Sequence, residues 1–177
     1  MILTVGEVKL MVDCDGMTDD IIITRLKAIE KTIRKYTNNN FQNRNIRFKA
    51  TSDGYELSCK PFFVKVGDTV QISQSRANDG LYTVEMVSGD RLMVDRDLFS
   101  EPFNLVTKIE YPEDVKQCAI DLFKWKMEFG DKIGIKSESE TLSRHSESVT
   151  YEDSATLFMG YPVGILNGLS LYKKARF

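Results

Sequence analysis

The sequence predicts an α+β protein: a small bundle of about four helices carrying an inserted small β-barrel or curled antiparallel sheet, with a long polar arm and a C-terminal helix and tail. Three observations support this. The apolar period is helical before residue 45 and after residue 110, but close to two between them. Within that middle block, Gly, Asp and Asn punctuate short apolar runs, as turns do between strands. Finally, residues 137–148 are dominated by Ser and Glu and lack a continuous apolar face. The domains expected are therefore a helical one, residues 1–44 with 111–177, and an inserted β domain, residues 45–110.

Thr4-Val5-Gly6-Glu7 has the form of a capping box, a hydroxyl followed three residues later by a carboxylate, and should open a short helix carrying Val8, Leu10 and Met11. A turn over residues 13–18 leads to Thr18, placed to cap a second helix with Asp19 and Asp20 at the positive end of its dipole. In that helix Ile22, Leu26, Ile29, Ile33 and Tyr36 form a narrow stripe, while Ile21 and Ile23 lie off it. The run Asn38-Asn39-Asn40 should end the helix, because Asn competes for local hydrogen bonds and tolerates left-handed backbone.

From Asn45 the pattern alternates. Ile46, Phe48 and Ala50 read as one strand, and Tyr55 and Leu57, beyond Asp53-Gly54, as another. Further strands are expected at Val64–Asp68, Thr69–Ser73, Leu81–Val87 and Leu92–Val94, with Asp79-Gly80 and Gly89-Asp90 as turns in which glycine supplies positive φ. A third helix should run from Pro112 to Phe129, proline being favoured in the first turn. Val115, Cys118, Ala119, Leu122 and Phe129 make its main face, Ile120, Phe123 and Met127 extend one side, and Trp125 the other. The apolar arc spans roughly 220°, against about 100° for a surface helix, so the helix is central to its own domain or also covered by a second subunit. Trp125 and Met127 are the interface candidates on it. Residues 130–154 read as a long loop or arm, in which Ser148-Val149-Thr150-Tyr151 could add a short strand. Tyr161-Pro162-Val163 opens a last helix, and the chain closes on Tyr172-Lys173-Lys174-Ala175-Arg176-Phe177.

Composition narrows the functional classes. Hydrophobic residues make up 42% and charged residues 28%, as in ordinary globular proteins. No apolar run approaches the roughly 18 residues of a membrane span, and residues 1–4 lack a signal-peptide pattern, so cytoplasmic synthesis is expected. With 24 Lys+Arg against 26 Asp+Glu the chain is near neutral, which disfavours a protein built mainly to grip phosphates.

Catalytic signals are weak. The three cysteines, Cys14, Cys59 and Cys118, are widely spaced, and His145 is the one histidine, so a zinc site would have to use all four; separate thiols are the expected state. Arg144-His145-Ser146-Glu147 has triad residue types but, being consecutive, cannot converge as a triad. Asp13, Asp15, Asp19 and Asp20 lack the spacing of a calcium loop and suit helix capping better. No phosphate-binding glycine motif occurs. Phe48, Tyr55, Phe62, Phe63 and Tyr82 are expected to be core and turn residues rather than a base-stacking platform, since Asp68, Asp79, Glu85, Asp90, Asp95 and Asp97 dilute any basic groove. No catalytic residue, metal or cofactor is expected.

Several ordered motifs resemble one known family. Thr4-x-x-Glu7-Val8-Lys9, Asp19-Asp20-x-Ile22, Leu26-x-Ala28 and Ile33-x-x-Tyr36-Thr37 are similar to the opening of the head–tail connector (adaptor, or head-completion) proteins of tailed bacteriophages. The similarity resumes at the helix after Pro112, at Lys136-Ser137-Glu138-Ser139, and at Ser148-Val149-Thr150-Tyr151 ahead of Tyr161-Pro162. The β block departs from compact members and looks like the insertion of longer ones. The resemblance implies a non-enzymatic virion protein that forms a ring of about twelve copies beneath the portal. That ring would extend the DNA channel without binding DNA specifically and would present a surface to the next connector, stopper or tail-completion protein. It implies neighbouring-subunit contacts at Ser148, Val149, Thr150 and Tyr151, and portal docking through Tyr172, Lys173, Lys174, Arg176 and Phe177. The alternative is a nucleic-acid-binding module with an SH3-like or OB-like β domain.

Overall fold

Alternation in the middle of the chain produces four strands: β1 (Gln42–Ser58), β2 (Thr69–Ser73), β3 (Gly80–Ser88) and β4 (Arg91–Ile109). They form one antiparallel sheet in the order β1-β4-β2-β3, with β3 also paired to β4. The computed structural model describes residues 1–130, 137–142, 145–150 and 157–175. Its two compact units are Met1–Thr4 with Asn40–Pro112, and Val5–Asn39 with Glu113–Phe177.

The sheet curls without closing into a barrel, and irregularities in its long strands explain how. β1 pairs with β4 from Gln42↔Ile109 to Ser58↔Arg91, but the register shifts three times between Ala50 and Glu56, where Gly54 has φ +57°. Such bulges bend a strand and increase its twist. Asp53-Gly54 therefore bends one strand instead of separating the two expected from the sequence. The bend also lets β4 serve two partners, β3 through Arg91–Val94 and β2 through Leu105–Ile109. One face of the curl closes over Phe48, Leu57, Val70, Ile72, Val84, Leu92, Val94 and Val106.

One strand expectation and one turn expectation change. Val64–Asp68 is a loop: the Lys65 amide donates to Asp68 Oδ2 at 2.8 Å, the Asp68 amide to the Lys65 carbonyl at 3.1 Å, and Gly67 has φ +87°. Gly89, at φ +54°, makes the β3–β4 turn as expected, but Gly80 begins β3 opposite Ile72, and Gln74 carries the positive φ of that connection. A buried amide holds the connection in place. Asn78 Nδ2 donates to Ser52 Oγ, the Phe99 carbonyl and Asn104 Oδ1 at 3.0, 3.0 and 3.2 Å, while its Oδ1 accepts from the Phe99 amide at 2.8 Å. The sheet unit also takes residues assigned above to the helical part: Ile2 and Leu3 are buried, and Phe41 meets Tyr111 at 5.0 Å between ring centroids.

In the helical unit, α1 (Val5–Met11) and α2 (Asp19–Thr37) begin where the caps suggest, with different chemistry. Thr18 occupies the cap position of α2 in extended backbone but makes no side-chain cap bond; its carbonyl accepts from the Ile21 and Ile22 amides. The stripe Ile22, Leu26, Ile29 and Ile33 is fully buried. α2 stops at Asn38, whose φ of 49° and ψ of 35° are the left-handed geometry that Asn tolerates. Val8 of α1 is buried, whereas Leu10 and Met11, expected beside it, are 87% and 54% exposed. Leu10 lies two residues past Val8, which turns it off the buried side, whereas Met11, three past, shares that side but is the last residue of this seven-residue helix.

α3 (Glu113–Phe129) buries Val115, Cys118, Ala119, Ile120, Leu122 and Phe123, so both flanks of its first two-thirds are core. Residues 137–142 and 145–150 depart from the loop expectation, with β5 (Ser137–Leu142) and β6 (His145–Thr150) pairing in register from Ser137↔Thr150 to Leu142↔His145. Backbone pairing between the two strands outweighs composition there. β7 (Leu157–Phe158) and β8 (Tyr161–Pro162) form a short hairpin leading to α4 (Val163–Leu166), which continues as a 3₁₀ helix over Asn167–Tyr172. Gly164 and Gly168 weaken an α-helix there, so the last helix is shorter and tighter than its apolar spacing suggests.

Candidate functional site

The last turn of α3 changes character. Trp125, Met127 and Phe129 are half-buried where the preceding residues are closed off. The Trp125 ring lies 6.0 Å from Phe129 and 6.0 Å from buried Tyr161. These contacts hold the indole at the unit's margin, with part of its surface available to another molecule. Burial raises the Tyr161 phenol pKa, with the Arg25 charge acting in the opposite direction.

At the other end of this unit, the chain terminus is held in place. Asn39 Nδ2 donates to the Tyr172 carbonyl at 3.2 Å, Asn38 Nδ2 to the Lys174 and Ala175 carbonyls at 3.2 and 3.1 Å, and the Lys174 amide to the Thr37 carbonyl at 2.8 Å. The asparagine run thus ends α2 and also clamps the chain terminus, a second role that only long-range contact reveals. Tyr172 Oη donates to both Asp114 carboxylate oxygens at 2.8 and 2.7 Å, and this hydrogen bond is the main cause of its raised pKa. Lys173 Nζ sits 3.9 Å from the centroid of the Tyr36 ring. Of the docking candidates, Tyr172 and Lys173 are engaged within the unit, Lys174 is exposed, and Arg176 and Phe177 lie outside the described residues. The interface candidates Ser148, Val149 and Thr150 lie on β6, and Tyr151 falls outside the described residues.

The thiols do not converge. Cys59 belongs to the sheet unit, and Cys14 and Cys118 to the helical unit. Burial pushes Cys59 up to about 11 and Cys118 up to about 12, away from the thiolate that metal ligation or nucleophilic attack requires. Among the described residues no group of three or more His, Cys, Asp and Glu side chains is arranged to hold a metal. The acidic residues before α2 act locally: Asp13 Oδ1 accepts from the Asp15 amide at 3.1 Å, and Asp19 pairs with Lys9 at 2.7 Å.

Aromatics of the sheet unit divide. Phe48 and Tyr82 are core residues, whereas Tyr55 beside the β1 bulge and Phe62 and Phe63 in the loop after β1 are 48%, 45% and 76% exposed, so the set divides between core and turn. Alternation could not reveal this, because Phe62 and Phe63 belong to a loop whose direction tertiary contacts set. No protein-family model matches the chain, and no curated protein matches it at a significant level. Among the described residues, no helix is long and apolar enough to cross a membrane.

Proposed function

We propose that this protein is a structural head–tail connector subunit of a tailed-bacteriophage virion and not an enzyme. Copies form a ring, a dodecamer by the family resemblance, beneath the portal. The ring extends the DNA channel and offers a docking surface to the next connector, stopper or tail-completion protein. The observation that carries the reading is the β5–β6 hairpin. Among the described residues its strands pair only with each other, and Glu140 stands opposite Glu147 in register. An isolated two-stranded hairpin is marginal in water. Docking on a neighbouring copy would supply the missing support, and this is the segment where the family resemblance places subunit contacts.

Co-expression with the portal protein of the same virus tests the proposal. A ring-sized complex in native mass spectrometry is the expected result, and removal of residues 137–150 should abolish it while leaving the chain folded. Failure to form any complex with the portal would overturn the connector reading. A nucleic-acid-binding reading draws on one feature, Lys49 Nζ lying 5.7 Å from the centroid of the exposed Phe103 ring. Salt-dependent binding of single-stranded DNA that is lost in Lys49→Glu would favour it instead.

A further inference from the structure

The loop between β1 and β2 displays aromatic side chains outward, and it is built to do so. Phe63 is 76% exposed with φ +58°, a left-handed backbone that bulky side chains rarely adopt. Half-buried Lys108 holds it there, donating from Nζ to the Phe63 carbonyl at 2.9 Å while pairing with Asp68 at 2.9 Å and Glu110 at 3.4 Å. Burial works to lower the Lys108 pKa, but the hydrogen bonds and charges of Asp68 and Glu110 outweigh it, and the ammonium is kept. Ring contacts brace the base, Phe48 to Phe62 at 5.9 Å and Phe62 to Phe63 at 6.1 Å. Sheet folding alone gains nothing from an outward phenylalanine in strained backbone. A strained residue over-determined by its surroundings marks a functional position, and a braced aromatic loses little freedom on binding. Exposed Lys60 and Lys65 flank this knob.

The helical unit presents a surface of opposite character. The 2.7 Å pair between Lys9 and Asp19 ties the end of α1 to the start of α2. At that corner Leu10, Met11 and Ile21 are 87%, 54% and 44% exposed. Exposed Asp13, Asp15 and Asp20 stand beside them in the chain. One surface is therefore aromatic and rimmed by lysine, the other aliphatic and rimmed by aspartate. Two different surfaces on one chain allow copies to pair head-to-tail, the kind of contact that forms a ring when the rotation between copies closes.

We infer that the Phe63 knob of one copy docks on the Leu10–Ile21 corner of the next copy, with Lys60 and Lys65 facing the aspartates. This deepens the connector reading and rests on it for the expectation that copies associate. The occupant is a second copy of this chain, because the chain itself carries the matching apolar surface and the complementary charge.

Charge exchange tests it. In the full-length chain, Lys60→Glu with Lys65→Glu makes one variant, and Asp15→Lys with Asp20→Lys makes the other. Each alone should self-associate at least about ten-fold more weakly than wild type in sedimentation equilibrium, since like charges then face one another. An equimolar mixture should regain association, because each variant meets its complement on the other. Phe63→Asn supplies a second measurement. Asn accepts the left-handed backbone, so thermal stability should hold or rise while association falls about thirty-fold, as for the loss of an anchor side chain. Wild-type association with no weakening in the variants, or no recovery in the mixture, would overturn this contact while leaving the ring and portal binding standing. A wild-type chain that stays monomeric at every concentration overturns the contact as well, and the portal experiment then decides the connector reading separately.

Discussion

Asn78→Ala should destabilise the sheet unit selectively. The side chain is 1% exposed, and its removal leaves two groups without their partner: the Phe99 amide, bound at 2.8 Å, and Asn104 Oδ1, bound at 3.2 Å. The Phe99 carbonyl still accepts from Ser52 Oγ at 2.7 Å, and Ser52 Oγ still accepts from Asn104 Nδ2 at 3.0 Å, so neither is orphaned. Each orphaned buried group costs about 1–3 kcal/mol, giving roughly 3 kcal/mol for the substitution. A small unit sits near the lower end of domain stabilities, about 5 kcal/mol, so more than half of its stability would go. The buried thiols report the two units separately, Cys59 in the sheet unit and Cys118 in the helical unit. Pulse labelling across a urea series, read by peptide mass spectrometry, should show the Cys59 midpoint falling by about 1.5–2 M for a slope of about 1.5–2 kcal/mol/M. The Cys118 midpoint should stay within about 0.3 M of wild type if the units unfold independently. A Cys59 shift below about 0.5 M would show that the buried amide network does not carry the sheet. Equal shifts at both thiols would refute the separately folding inserted module.

Cys118 makes a pH prediction. Its folded pKa, about 12, lies above the ordinary 9.0, so the neutral thiol's contribution is complete below pH 9 and is lost as pH rises toward 12. Unfolding free energy of the helical unit should drop by about 1 kcal/mol between pH 7 and 10 from this thiol, a loss absent in Cys118→Ala. An identical pH profile in the variant would remove Cys118 as the cause. Asn39→Ala should release the chain terminus, speeding exchange of the Lys174 amide about ten-fold, and unchanged protection would show that Asn39 is not the clamp. Trp125→Ala forfeits the ring contacts to Phe129 and Tyr161, lowering monomer stability by about 2 kcal/mol while the chain stays folded. Self-association of that variant should weaken at least ten-fold, roughly an anchor's share, and association at wild-type strength would return Trp125 to the core alone.

Local chemistry made much of this architecture legible. The buried stripe of α2 follows from apolar spacing, its stop at Asn38 from the left-handed tolerance of asparagine, and the sheet from a change of period near residue 45. These are properties a few consecutive residues settle among themselves, so no distant contact is needed to infer them. Twice a local signal gave way to strand pairing. Asp53-Gly54 reads as a turn, yet pairing with β4 carries one strand through it as a bulge. Residues 137–142 and 145–150 read as loop by composition, yet backbone pairing organises them into two antiparallel strands.

Tertiary structure alone decided which side chains remain outside. Leu10, Met11, Phe62 and Phe63 are apolar in sequence and exposed in the fold, because exposure depends on what a distant segment covers. Lys108 holds the Phe63 carbonyl across 45 positions, and Asn39 holds the Tyr172 carbonyl across 133. Such contacts form only once folding has closed the chain between them, so hydrophobic periodicity and capping motifs carry no trace of them.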